Sequence, residues 1–454
     1  MTHGESSQTL GMPDATLAAA RAAGMTIAVA PQYEGETTPV VRHLRLALAG
    51  CGVVGGELLR VLERRRNELV DAYGLDVEVV TVLVRDATRR RDVPFDRDLF
   101  TSDVERFLET PADVVVEAIG GFLPAALIAR TTLERGATFV TANKALVASY
   151  GDVLFTTAAR TGATLRFDAA VGGGVPVLRL IEGALGGARP RAVRGILNGT
   201  SNFVLTRLER GATFDAALAE ARQSGFAEFD ATRDLDGSDA ADKIAIVAWA
   251  AFGISPERVI VRRRSLLPDP VRLVRVARAA GGRLRLVAEC ELVNGGRGVV
   301  ASVEPVVVAA DSPFGRTTLE GNTIEIDTGW SAPLHVSGPG AGAAPTATSL
   351  LSDLLAGSAT PRPRCTPPVA VDDERAFRWV IGARLAPRLL SDLLERHGVP
   401  VEEACTVGSE SCATTTRLSL CELRQALAIL TAANRNPIAI RLGAGVDIPP
   451  EEAR

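Results

Sequence analysis

Among the 50 lysines and arginines of this chain only Lys144 and Lys243 are lysines. A primary amine can do what a guanidinium cannot: it can shift its pKa, give up a proton within reach of neutral pH, or act as a compact rotating donor. Lys243 lies in GFAEFDATRDLDGSDAADKIAI (225–246), a carboxylate-rich loop running into a helix. Asp239 stands four residues before it, so the plainer expectation is an exposed ion pair on one helix face. Three features point elsewhere. Glu228, Asp230, Asp234 and Asp236 crowd the loop, Gly225 and Gly237 free its backbone, and AIVAWAAFG (245–253) is apolar nearly all round. A helix with so little polar surface is expected to be buried, so a lysine at its start would face a cleft. An amine among carboxylates in a cleft is a candidate proton donor.

Such a donor needs something to position it. HLRLALA (43–49) reads as a strand and is followed at once by GCGVVGGELLRVLERRR. Gly50, Gly52 and Gly55, with Val53 and Val54 between them, make GxGxxG between an apolar strand and an amphipathic helix. That context is what a dinucleotide loop requires: a tight turn, close backbone approach to a pyrophosphate, and a helix N-terminus beneath it. The next strand, 77–84, runs into Arg85, Asp86 and Arg89–Arg91. Arginines there suit a 2′-phosphate and lean toward NADP, while Asp86 keeps NAD open. A strand at 113–119 ends in Gly120-Gly121 before a helix at 124–135, and a strand at 138–141 delivers Lys144. Strand, turn and helix in repetition predict a parallel, doubly wound Rossmann-type sheet with one crevice at its strand ends.

Beyond it, LRFDAAVGGGVPV (165–177) is a strand breaking into glycines that can turn backbone groups toward a cation or a substrate, or serve as a hinge. Asn198–Asn202, small and polar, opens a helix from about 202, either as capping or as an anion site. Residues 257–310 suggest antiparallel sheet and a dimer surface, and 334–356 a strand, glycine turn and helix returning to the first domain. The expected layout is an N-terminal extension (1–42, perhaps helical at 14–23), a dinucleotide-binding domain (43–168, closed by 311–357) and a substrate and dimerisation domain (169–310). A Pro-rich linker (358–369) and a small tail domain (370–454) follow. A net charge of −4 without charge blocks and 4% aromatics argue against nucleic acid. No apolar run reaches membrane-spanning length, and six scattered cysteines suggest reduced thiols in the cytoplasm.

Seven stretches, GCGVVG, VVEAIGG, TANKALVA, AAVGGGVPV, GILNGTSNFVL, GFAE…DLDGSDAADKIAI and GPGAG, stand in an order that resembles the homoserine dehydrogenase family over about residues 44–356. The resemblance implies reduction of L-aspartate 4-semialdehyde to L-homoserine with NAD(P)H, in threonine and methionine biosynthesis, by a homodimer or homotetramer. It implies an α/β fold: a Rossmann-type domain, an inserted α+β catalytic and dimerisation domain, and a degenerate ACT-like C-terminal domain. Lys243 would be the general acid, and Glu228 and Asp239 would bind the substrate's amino group. Asp234 would order that network, and Lys144 would sit at the nicotinamide–substrate junction. Gly225, Gly340 and Gly342 would lie near the cofactor. A monovalent cation, commonly sodium, would be held by Asp168 with backbone carbonyls of Val171, Gly173 and Val175. The chemistry agrees independently, because hydride addition to an aldehyde builds negative charge on oxygen beside which an ammonium stabilises and then donates. None of the four histidines falls in these stretches. Phe229 replaces the family's usual proline, Asp168 its frequent glutamate, and the tail lacks the ACT Asp-x-Pro-Gly turn. Phe229 motivates an alternative, a dehydrogenase for another amino-acid semialdehyde; a non-catalytic NADP-binding sensor is the second alternative.

Overall fold

The computed structural model describes residues 41–356, 369–444 and 446. The extension before residue 41, with the helix expected at 14–23, and nearly all of the 358–369 linker lie outside the described residues. No helix among the described residues is long and apolar enough to cross a membrane.

The first layer is a six-stranded parallel sheet of β1 (Arg42–Ala49), β2 (Leu75–Leu83), β3 (Phe100–Thr101), β4 (Val114–Glu117), β5 (Thr138–Thr141) and β6 (Leu165–Arg166). Its order, β3-β2-β1-β4-β5-β6, reverses direction between β1 and β4, which opens a crevice at their carboxyl ends. Its central strands are apolar on both faces because helices cover both. On one face, Leu58, Leu59 and Leu62 of the helix Val53–Arg64 pack with Leu350, Leu351 and Leu354 of the helix Ala343–Leu355. A segment distant in sequence therefore does close this domain, but it is shorter than the expected 311–357.

The reason is a second sheet, of β7 (Ala192–Ile196), β8 (Val261–Arg263), β9 (Arg283–Val293), β10 (Gly298–Val308), β11 (Gly321–Asp327) and β12 (Leu334–Pro339). β11 pairs with both β7 and β12, so residues 321–339 belong to this sheet. The long β9–β10 hairpin turns at Asn294-Gly295-Gly296, all in left-handed backbone. The helix Ser238–Phe252 starts at Gly237 (φ 83°), where a Cβ would meet Val303 of β10 at 2.9 Å. Its Trp249 stacks on Phe155 of the helix Lys144–Thr161, with ring centroids 3.8 Å apart. That contact docks the helices carrying the two lysines side by side.

The tail contributes β13 (Val369–Ala370), β14 (Trp379–Ala383), β15 (Val401–Val407), β16 (Glu410–Thr415) and β17 (Ile438–Leu442). With the helices Pro387–Arg396 and Leu420–Ala432, β14–β17 make a βαββαβ unit ordered β17-β14-β16-β15, the ferredoxin-like pattern. The unit is not a separate body. β17 pairs parallel with β10, Arg441 bridges Glu289 at 2.9 Å and Glu304 at 3.0 Å, and Arg272 meets Glu410 at 2.8 Å. Buried ion pairs that broke with separation would each leave a charge uncompensated, so the tail is tied to the sheet.

Candidate active site

Each glycine of the loop after β1 has its own geometry. Gly50 has φ 101°, and a Cβ there would sit 2.7 Å from the Ala118 carbonyl. A Cβ on Gly55 would sit 1.9 Å from the Gly50 carbonyl, so only glycine lets the helix start this close to the strand. Gly52 meets nothing within 4 Å and faces open space. Two glycines fold the loop and the third keeps room above it, which fits a pyrophosphate seated on the helix N-terminus. The opposite wall is built by Glu117, buried at the end of β4. Its carboxylate accepts from the N–H groups of Ile119 (2.7 Å) and Gly120 (3.0 Å) and from the Thr141 hydroxyl (2.6 Å).

The two lysines meet at one carboxylate. Lys243 Nζ lies 2.8 Å from Asp239 Oδ2 and donates to the Leu197 carbonyl at 2.8 Å. Lys144 Nζ lies 3.1 Å from the other oxygen, Oδ1. Asn198 Nδ2 donates to Asp239 Oδ2 at 2.9 Å and to Asp234 Oδ1 at 2.7 Å. The i,i+4 pair is therefore real but not superficial, since the Lys243 side chain is 13% exposed. Burial pushes the Asp239 carboxyl up, yet both lysines and Asn198 outweigh it and hold it below the usual carboxylate range. Burial likewise works against the Lys144 ammonium, but Asp239, Asp242 and Asp234 raise its pKa. Asp234 is raised, by burial against the Asn198 hydrogen bond.

Two cavities open onto this cluster. One, of about 280 Å³, lies over the first sheet and is lined by Val54, Gly120, Val171 and Gly173 among others. The other, of about 440 Å³, is lined by Glu228, Asp230, Asp234, Asp239 and Glu320. Lys144, Lys243, Gly340 and Ala341 line both. A nucleotide crevice and an acid-lined pocket thus share a wall made of two amines.

The homoserine dehydrogenase profile matches residues 176–355, and the profile of that enzyme's NAD-binding domain matches 50–168. The chain is 32% identical over 318 residues to homoserine dehydrogenase of Bacillus subtilis, covering 70% of this chain and 73% of that one. To the Corynebacterium glutamicum enzyme it is 34% identical over 338 residues, 73% of this chain and 75% of that one. The crystal structure of a homoserine dehydrogenase from Thiobacillus denitrificans superposes with a TM-score of 0.78 at 28% identity, covering 88% of this chain and 98% of that one. The chain belongs to the homoserine dehydrogenase family.

Within that family frame, the structure gathers most of the expected residues. Val54, Gly120 and Gly340 line the nucleotide cavity, and Glu228, Asp234 and Asp239 the other. Gly342 (φ 126°) precedes the helix Ala343–Leu355. Arg85 is exposed just past β2. Gly225 lines neither cavity; with φ 76° it ends the turn after the helix Phe214–Gln223. Phe229 does not shape the pocket either: it is 90% exposed, with the Arg222 guanidinium 5.4 Å from its ring.

The four residues expected at a cation site divide. Val171 and Gly173 line the nucleotide cavity, whereas Asp168 faces a void of about 10 Å³ with Glu182 and Asp353. Asp168 Oδ1 accepts from the N–H of Leu178 (3.0 Å) and Arg179 (3.4 Å), and buried Oδ2 has no hydrogen-bond partner. The Gly173 carbonyl accepts from the Ser349 hydroxyl at 2.5 Å, and that of Val175 from the Val177 N–H at 2.8 Å. Among the described residues no group of three or more His, Cys, Asp or Glu is arranged to hold a metal ion.

Asn198 and Thr200 were legible only as a polar turn. Asn198 proves both a cap, accepting from the Ser201 N–H at 2.7 Å, and the clamp on Asp234 and Asp239; Thr200 donates to the Phe226 carbonyl at 2.5 Å. Glu320 lies outside every motif, and nothing in the sequence signals it.

Proposed function

We propose that this chain catalyses the reversible NAD(P)H-dependent reduction of L-aspartate 4-semialdehyde to L-homoserine, in the cytoplasm, toward threonine and methionine. The observation that carries this reading is the shared wall: Lys144 and Lys243, bridged by Asp239, between the crevice and the acid-lined pocket. The nicotinamide coenzyme, when bound, supplies hydride. As charge grows on the aldehyde oxygen, Lys243 donates the proton and Lys144 adds a second positive charge. Asp239 and the Leu197 carbonyl hold these amines before substrate arrives, so little reorganisation remains at the moment of reaction.

Gly50, Gly52, Val53, Val54 and Gly55 would hold the pyrophosphate. Asp86 already accepts from the Thr88 N–H (2.8 Å) and hydroxyl (2.6 Å), while Arg85 stands exposed, which favours NADPH over NADH. Glu228 would face the substrate's ammonium, and Asp234, held by Asn198, would order the network beside it. The residues expected around a sodium ion do not converge: Asp168 Oδ2 faces a void apart from the cavity that Val171 and Gly173 line, and Val175 lines neither, so a cation is given no role in this reading. Family membership supports a homodimer or homotetramer, which sedimentation would read.

The deciding experiment is Lys243→Ala. Its kcat is expected to fall about 10³-fold, within the range for losing a positioned proton donor, while NADPH affinity stays within about twofold. Unchanged turnover would remove the mechanism.

A further inference from the structure

Glu320 reaches the substrate cavity from the turn between the short helix Pro313–Arg316 and β11. Its neighbour Leu319 has φ 54°, the left-handed region that branched side chains seldom adopt. The turn is fastened in that shape. Nδ2 of buried Asn202 donates to the carbonyls of Leu319 (2.9 Å), Gly321 (3.3 Å) and Thr317 (3.5 Å), and the Leu319 N–H donates to the Thr206 hydroxyl at 3.0 Å. The Glu320 carbonyl is pressed so close to Gly199 that a Cβ there would sit 2.9 Å away. Strained backbone persists where the surroundings over-determine it, and such places cluster at working sites.

The cavity's acids are not equally available. Asp239 has a lysine on each oxygen and Asn198 besides; Asp234 accepts from Asn198; Asp230 accepts from the Thr232 N–H at 2.9 Å. Among the described residues the carboxylates of Glu228 and Glu320 have no hydrogen-bond or ion-pair partner. A third ammonium drawn to Asp239 would crowd three like charges on one carboxylate. An ammonium between Glu228 and Glu320 gains charge-assisted hydrogen bonds without that cost.

We infer that Glu320 is a specificity-determining residue that, with Glu228, receives the α-ammonium of the substrate and leaves Asp239 to the lysines. This assignment rests on the dehydrogenase reading above and names which carboxylates select an amino aldehyde. It implies discrimination against an aldehyde of the same length lacking the ammonium.

The test uses the full chain with NADPH and two substrates, L-aspartate 4-semialdehyde and its des-amino counterpart, succinate semialdehyde. Glu320→Gln is expected to raise KM for the amino aldehyde about tenfold, the worth of one charge-assisted hydrogen bond. Its kcat should stay within about twofold and its KM for the des-amino aldehyde should not rise. Glu320→Asp should recover part of the loss. Equal KM shifts for the two aldehydes, or no shift, would overturn the role of Glu320 while leaving the dehydrogenase reading intact. A wild-type chain inactive on both aldehydes would overturn that reading, and this inference with it.

Discussion

The nucleotide crevice and the acid-lined pocket share a wall yet are built by opposite means. The crevice is mostly backbone: a glycine loop, a helix N-terminus and a turn shaped by buried Glu117. The pocket is mostly side chains, with charges delivered from residues 144, 228–239, 243 and 320 and an amide from Asn198. A backbone site is specified by a short run of residue types, because its geometry follows from the dihedrals that glycine alone permits. A charge site depends on which distant segments fold against each other, and its energy lies in pairings that no short run reveals.

The contrast can be broken most sharply at the glycines. Gly55→Ala puts a Cβ 1.9 Å from the Gly50 carbonyl, so about 1–3 kcal/mol of stability and about 100-fold in NADPH affinity should be lost together. Gly52→Ala, with nothing within 4 Å, should weaken NADPH while leaving Tm unchanged. If both variants lost Tm equally, the open space at position 52 would not be a ligand's.

On the pocket side, Asp239→Asn strands two ammonium groups and should cost about 3 kcal/mol at neutral pH. The sign with pH follows from its depressed carboxyl. The contribution is fully present above the ordinary aspartate range near pH 4 and is lost as pH falls through the lower folded value. The stability gap between wild type and variant should therefore narrow as acid denaturation is followed below about pH 4. A gap constant with pH would mean that the carboxylate is not what binds the amines.

A smaller effect is expected at Arg85→Ala: about tenfold higher KM for NADPH with NADH unchanged, from loss of one phosphate contact. The smallest belongs to Phe229→Ala. Its ring is almost wholly exposed and lines neither cavity, so stability should move by less than about 0.5 kcal/mol and substrate preference not at all. A changed substrate preference there would revive the alternative of a different semialdehyde.

The sequence alone determined the parallel sheet and the glycine loop and singled out the two lysines, because each signal is local: a strand followed by spaced glycines, or an amine in a chain that otherwise uses arginine. Segment 311–357 was expected to return whole to the first domain, but apolar patterning cannot tell which sheet an edge strand will join, and β11 and β12 went to the second. The tail's fusion to β10 was not readable, since the buried pair of Arg441 with Glu289 spans 152 positions. Only the tertiary structure decided that Lys144 and Lys243 share Asp239, that Asn198 clamps it, and that a strained turn delivers Glu320. Those are contacts between segments, and their free energy exists only once the segments are packed.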